Sequence, residues 1–252
     1  PLYTVRSMSL RGEYSALTND AIRKDLRVRE GSTFRRLAVE SRPGSPFEGD
    51  RQTIQRRFRD QGYFNAMVEL DVVKAGPTEV DLVYTITEGR RVRIGQINIV
   101  GNDATKASVI RPYLNGAQPG RWYSQTALEL DMIRLMRLGW FAAPPRQGAR
   151  IVPRPAEPPF DAHRYVDVDV LVEEGETGTF NIGAGWSSER GIVGYLNLTK
   201  RNFDLTDWPN FTGGGQELSL SAQPGPDSSS YSLSFFEPFF FGTHESAAGT
   251  RL

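Results

Sequence analysis

Hydrophobic positions along the chain change period several times, and each change marks an element. Val5 to Leu10 is strand-like and closes on Gly12. Ala21, Ile22 and Leu26 share one face at helical spacing, and Ile54 and Phe58, four apart, define a second helix that starts near Asp50 and stops at Gly62. The period then becomes two. Ala66, Val68, Leu70 and Val72 alternate with Met67, Glu69 and Asp71, and after Gly76-Pro77 the alternation resumes at Val80, Leu82, Tyr84 and Ile86. Two adjacent runs of period two predict a hairpin with one buried face, which the helices cover.

The order then repeats. Val92 to Val100 closes on Gly101-Asn102, and Leu128, Met132, Leu135 and Met136 form a helical stripe from about Ser124 to Leu138. Gly139-Trp140-Phe141 repeats Gly62-Tyr63-Phe64, and Glu174-Gly175 repeats Glu88-Gly89. Val166, Val168, Val170 and Val172 alternate with Asp167 and Asp169, as in the first unit. Residues 144–159 hold six prolines and predict a long polyproline-like connection in place of a tight hairpin. The strand–helix–helix–strand–strand order, found twice, predicts two copies of one α+β unit.

From Thr179 onward only strand patterning remains. Phe180, Ile182, Ala184 and Trp186 alternate with Asn181, Gly183, Gly185 and Ser187; Ile192, Leu196 and Leu198 with Tyr195, Asn197 and Thr199; Leu218, Leu220 and Ala222 with Glu217, Ser219 and Ser221; Tyr231, Leu233 and Phe235 with Ser232 and Ser234. A soluble β-sandwich alternates too. Here the non-apolar face is Ser, Thr, Asn and Gly rather than Lys and Glu, which fits transmembrane β-barrel strands with apolar-out, polar-in faces. Phe235, Phe236, Phe239, Phe240 and Phe241 fit an aromatic girdle.

Charge sharpens the boundary. Of 30 Lys/Arg and 30 Asp/Glu, only four and seven fall in 179–252. Zero net charge argues against a nucleic-acid partner. The 252-residue chain has no cysteine and hence no disulfide or thiolate metal site. With 38% hydrophobic residues and a mean hydropathy of -0.43, it has no apolar run fit for a membrane helix. It opens at Pro1 without Met and reads as an internal fragment. His163 and His244 are isolated, Gly183-Ala184-Gly185 lacks the residues of a phosphate loop, and no nucleophile motif occurs, so no enzyme activity, cofactor or metal is expected. Arg51, Arg56, Arg57 and Arg59 flank the Ile54/Phe58 stripe and suit either a solvated helix face or anionic headgroups.

These residues resemble the BamA-type outer-membrane assembly family. Gly62-Tyr63-Phe64 and Gly139-Trp140-Phe141, each after an amphipathic helix, resemble the signature of its POTRA modules. Glu173 through Trp186 resembles the junction between the last module and the first barrel strand, Arg201-Asn202-Phe203-Asp204-Leu205 the segment after the second strand, and Phe236-Glu237-Pro238-Phe239 the end of the fourth. The proline insertion and the Trp208–Gly215 loop depart from the family pattern. The resemblance implies POTRA modules at 1–89 and 90–178 with β-α-α-β-β order, and the first strands of an outer-membrane barrel at 179–252. It implies insertion of other β-barrel proteins into the bacterial outer membrane. The expected partners are unfolded barrel clients, accessory periplasmic lipoproteins and outer-membrane lipid. The alternative within the superfamily is a two-partner secretion pore that exports a soluble passenger.

Two sites follow from the resemblance. Thr179, Phe180, Asn181, Ile182, Gly183, Ala184, Gly185 and Trp186 form the gate strand, whose glycines either weaken the edge for opening or fit barrel curvature. Asn65, Met67, Glu69 and Asp71 mark an edge strand of the first module, either a docking edge or one protected by its acids.

Overall fold

The computed structural model describes residues 2–24, 26–41, 48–143, 145–188, 191–225, 229–238 and 248–251. Phe239, Phe240, Phe241, His244 and the side chain of Ile192 lie outside the described set. The chain divides into two compact units: residues 1–97, 116–130 and 153–168, and residues 98–115, 131–152 and 169–252.

The first copy of the repeat is β1 (Thr4–Glu13), α1 (Asn19–Arg23), α2 (Arg36–Val39), α3 (Asp50–Asp60), β2 (Met67–Lys74) and β3 (Glu79–Thr87). Its sheet has the order β1-β3-β2, with β3 parallel to β1 and antiparallel to β2. Ile54 and Phe58 are fully buried against Leu82, Tyr84 and Ile86 of β3 in one apolar cluster, as their spacing requires. The helical part is more broken than the pattern suggests. The Ala21/Ile22/Leu26 face is one short helix that ends at Arg23, with Leu26 and Val28 buried in the loop behind it, and α2 is an additional turn that buries Val39.

The second copy is β4 (Arg93–Val100), α4 (Ala107–Ile110) with a 3-10 turn at Arg111–Tyr113, α5 (Gln125–Arg137), β5 (Ala149–Pro155) and β6 (Tyr165–Val172), in a sheet of order β4-β6-β5. Two expectations change here. The proline-rich segment contains β5 instead of being wholly polyproline-like, because a sheet edge tolerates the N–H that Pro153 and Pro155 lack. Asp167 is buried, not solvent-facing: its carboxylate accepts the N–H of Gln96 (2.8 Å) and of Glu157 (3.1 Å).

The third segment is an antiparallel sheet of order β11-β10-β9-β8-β7, built from β7 (Gly178–Ser187), β8 (Gly191–Phe203), β9 (Gln216–Gln223), β10 (Ser230–Glu237) and β11 (Ala248–Arg251). Its register aligns like with like. Ile182, Leu196, Ala222 and Tyr231 lie in one cross-strand row and Phe180, Leu198, Leu220 and Leu233 in the next, all on one face. Asn181, Asn197, Ser221 and Ser232 form a row on the other face, where Ser221 and Ser232 hydroxyls lie 2.7 Å apart. Phe235 continues the apolar face. Phe236 turns to the polar face, opposite Glu217, because adjacent strand residues point in opposite directions, so the two do not share one girdle.

Candidate docking edges and the strand-to-turn junction

In the first module β2 is a sheet edge, and the hydrogen bonds show which of its backbone groups are free. The Ala75 N–H donates to Glu79 O (3.0 Å), so odd-numbered residues of β2 turn their backbone toward β3. Even-numbered residues then face outward. Arg51 Nη1 and Gln55 Nε2, from α3, donate to the outward carbonyls of Val68 (3.3 Å) and Ala66 (2.8 Å). Among the described residues, the outward groups left open are the Val68 N–H and those of Leu70, Val72 and Lys74, beside a groove lined by Phe34, Val39 and Leu70. Asn65, Met67, Glu69 and Asp71 present exposed side chains, while the ladder residues among them already share their backbone bonds with β3. The opposite edge is covered from Thr4 to Met8. Val5 pairs with Ser32 and Gly31, and at Met8 the side chains of Glu30 and Arg23 take the N–H (3.0 Å) and the carbonyl (2.8 Å) as a strand would.

In the third segment β7 is likewise an edge. The Arg201 N–H donates to Thr177 O (2.8 Å), so Thr179, Asn181, Gly183 and Gly185 bond toward β8. Phe180, Ile182, Ala184 and Trp186 turn their N–H and C=O groups outward. Their side chains lie on the apolar face, with Ile182 70% and Trp186 75% exposed. The two glycines differ. A Cβ on Gly183 would lie 2.2 Å from the Tyr195 ring, which covers it across the strand pair; a Cβ on Gly185 would meet nothing within 4 Å.

The repeated Glu-Gly has a definite job. Glu88 accepts the N–H of Ser15 (2.8 Å) and Ala16 (3.0 Å) and the Ser15 hydroxyl (3.0 Å). Partial burial pushes its carboxyl up, and these donors outweigh it and hold it below the usual range. Glu174 repeats the arrangement on the N–H of Ala104 (3.0 Å) and Thr105 (2.6 Å). Gly12 and Gly101 precede the held loops. At each, a Cβ would come within 2.0 Å of a carbonyl, of Ile86 or Val172, at φ values of +113° and +87°.

In the second copy that held loop receives the turn between β8 and β9. Asn202 is buried in the left-handed region (φ 52°), donates from Nδ2 to the Thr105 hydroxyl (2.8 Å) and accepts the Gly215 N–H on Oδ1 (3.0 Å). Lys106 N donates to Gly213 O (3.1 Å), Gly213 N to Asn202 O (2.8 Å), and Lys106 Nζ is ion-paired to the buried Asp204. Hydrogen bonds from Lys106 and Thr206 hold the Asp204 carboxyl down at about 2.

A family model described as surface antigen variable number repeat, POTRA, matches residues 3–89 and 92–175. The chain belongs to the POTRA family. It is 24% identical over 92% of its length to the outer membrane protein assembly factor BamA of Neisseria meningitidis, and 24% over 98% to BamA of Neorickettsia risticii. It spans about a quarter to a third of those relatives, 26% and 30% of their lengths. The crystal structure of BamA from Haemophilus ducreyi lacking POTRA domains 1-3 superposes with a TM-score of 0.77 at 25% identity, over 99% of this chain and 42% of that one. A BamA POTRA3-5 structure from Haemophilus influenzae matches in fold over 68% of this chain (TM-score 0.53, 24% identity). The chain is thus two POTRA modules followed by an antiparallel sheet that resembles the start of the BamA barrel.

Several residues that position these POTRA elements carry no periodic signal. Asp60, at the end of α3, accepts the Thr126 N–H (2.8 Å) and the hydroxyls of Ser124 (2.9 Å) and Thr126 (2.7 Å), capping α5 from the other module. The four arginines are spent inside the unit. Arg57 donates to the carbonyls of Ala21, Ile22 and Lys24 and caps α1; Arg56 is ion-paired to Glu48 and Glu129; Arg51 is paired with Glu40 (3.2 Å); Arg59 reaches Gln125 (3.4 Å). Neither a free solvated face nor a headgroup site describes them. Among the described residues no cluster of His, Asp and Glu fits a metal.

Proposed function

We propose that this chain acts in the assembly and insertion of β-barrel proteins into the bacterial outer membrane. In this reading its POTRA modules lie in the periplasm, its third segment opens a transmembrane barrel, and the work is noncovalent. The observation that carries it is the β7 edge, which combines outward backbone groups from Phe180 to Trp186 with an apolar face, in a chain that also carries two POTRA modules. An unpaired strand in hydrocarbon leaves backbone groups that each cost several kcal/mol. A separable β7 edge offers those groups a partner, and the open Leu70–Lys74 stretch of β2 offers the same to an extended client in water. Accessory lipoproteins belong to this proposal as partners of the modules.

The test uses the full-length protein in bilayers with an unfolded barrel client. A photocrosslinker at Ala184 should capture the client, and one at Asn197, inside the sheet, should not. Single cysteines at Asn197 and Leu196 establish the barrel itself: Asn197→Cys should react with a water-soluble maleimide and Leu196→Cys should not. Equal reactivity of that pair removes the membrane reading, and client capture at Asn197 but not Ala184 removes the edge reading.

A further inference from the structure

The β8–β9 turn has two dissimilar sides. One is the polar attachment to the 102–106 loop through Asn202, Asp204 and Gly213. The other exposes Leu205 (66%) and Trp208 (78%). Such exposure on a long mobile loop would mean little, but this turn is fixed. Asn202 and Asp204 are buried at its base, and the Trp208 ring packs edge-on against Phe211, centroids 5.1 Å apart. Phe211 stacks on Phe203 at 5.7 Å, and Phe203 meets Phe235 edge-on at 6.5 Å. Phe235 belongs to the apolar face of the sheet, in the row of Leu218 and Lys200. A continuous aromatic path therefore leads from the sheet's apolar face to the exposed indole.

Position along the strands adds a second argument. Lys200 is the last residue of β8 on the apolar face before the irregularity at Lys200/Phe203, and a lysine there marks where an apolar band meets the polar interface, since its stem lies along apolar surface while its ammonium reaches water. Leu205 and Trp208 follow directly. An indole with an apolar body and one N–H donor is suited to the headgroup boundary. Of the two carboxylates in the turn, Asp204 is neutralised by Lys106, and Asp207 is half-buried.

We propose that this turn is a lipid anchor: Trp208 and Leu205 insert at the headgroup–acyl boundary of the leaflet facing the POTRA modules, while the turn's polar side holds the loop Ala104–Lys106. The proposal rests on the membrane reading above. It makes the turn a link between a POTRA loop and the bilayer surface, independent of any client.

The experiment places an environment-sensitive fluorophore on single cysteines of the full-length protein in phosphatidylcholine nanodiscs. The positions are Trp208→Cys and Leu205→Cys on the turn, Ile182→Cys on the apolar strand face, and Asp103→Cys as an aqueous reference. Quenchers are lipids with nitroxides at the headgroup or at mid-chain, and aqueous iodide. Both turn positions should be quenched more by the headgroup nitroxide than by the mid-chain one, and far less by iodide than Asp103→Cys. If Ile182→Cys is lipid-quenched while both turn positions respond to iodide like Asp103→Cys, the anchor is wrong and the membrane reading stands. Shielding of the turn from lipid and iodide alike means protein covers it and also overturns the anchor. Absence of lipid quenching at Ile182→Cys removes both readings.

Discussion

Asn202→Ala tests whether one buried side chain holds the β8–β9 turn to its POTRA loop. The substitution leaves the Gly215 N–H and the Thr105 hydroxyl buried without their partner, at about 1–3 kcal/mol each. It keeps a Cβ at φ 52°, where alanine, like any residue with a Cβ, loses about 1 kcal/mol relative to glycine. The two unpaired groups together come to about 2–6 kcal/mol of local opening free energy. The readout is hydrogen exchange at the Lys106 and Gly213 amides, whose acceptors are backbone oxygens the mutation does not remove. Exchange should rise roughly 30-fold to 10⁴-fold, since about 1.4 kcal/mol is tenfold in an equilibrium constant. Asn202→Gly keeps the backbone freedom and should fall short of the alanine effect by about fivefold. A rise below about threefold for Asn202→Ala would show that the turn is held by other contacts, and equal effects for the two variants would refute the backbone contribution.

Phe58→Ala should destabilise the first POTRA module by about 3–5 kcal/mol, because the ring is fully buried and packs edge-on with Tyr14 at 5.9 Å; a shift under about 1 kcal/mol in chemical denaturation would contradict its core role. For Asp204 the folded pKa is depressed, so its stabilisation is complete above the ordinary carboxylate value of 3.8 and is lost as pH falls toward about 2; turn amide protection, corrected for intrinsic exchange, should follow that window in the wild type and be flat in Asp204→Asn. In β7, Gly183→Ala should disturb the Tyr195 packing and lower stability, whereas Gly185→Ala should be tolerated; similar losses in thermal melts would mean that cross-strand coverage does not distinguish the two glycines.

Where burial follows a period, the sequence was readable. The stripes of α3 and α5, the alternation of β3 and β6, and the apolar and polar rows of the third segment all appear as their spacing implies. What was illegible is polar and long-range. Asp60 caps a helix that begins 65 residues after it, at Gln125, and Arg57 caps one that ends long before it. Asp167 lies on the polar phase of an alternating strand yet is buried, because the Gln96 and Glu157 N–H groups need an acceptor there. Strand β5 was hidden by its prolines, which exclude a central strand but not an edge. The proposed docking edge shows the limit of side-chain patterning: exposure picked out Asn65, Met67, Glu69 and Asp71, whereas the open backbone belongs to the alternate set, a phase that the bonds at Ala75, Val68 and Ala66 reveal.

The two POTRA copies share one device and use it for different ends. In each, a glutamate near the end of the third strand holds the N–H groups of the loop after the first strand, and a glycine ahead of that loop lets the chain pass against a carbonyl. In the first copy the held residues, Ser15 and Ala16, lead into Thr18, which caps α1. In the second the held residue Thr105 also binds Asn202, and the next residue, Lys106, takes Asp204 and Gly213. The same carboxylate therefore orders a loop that, in one copy, serves its own helix and, in the other, becomes the seat for a turn of the third segment. The seat is expected to depend on Glu174, which among the described residues bonds to Ala104 and Thr105 and to neither Asn202 nor Asp204. Glu174→Gln retains one acceptor oxygen but weakens the bonds to Ala104 and Thr105, so it should loosen the turn, whereas Glu88→Gln should loosen only the Ser15–Ala16 loop. Exchange protection at Gly213 separates the two variants; if both leave it unchanged, the glutamate orders its loop without supporting the seat.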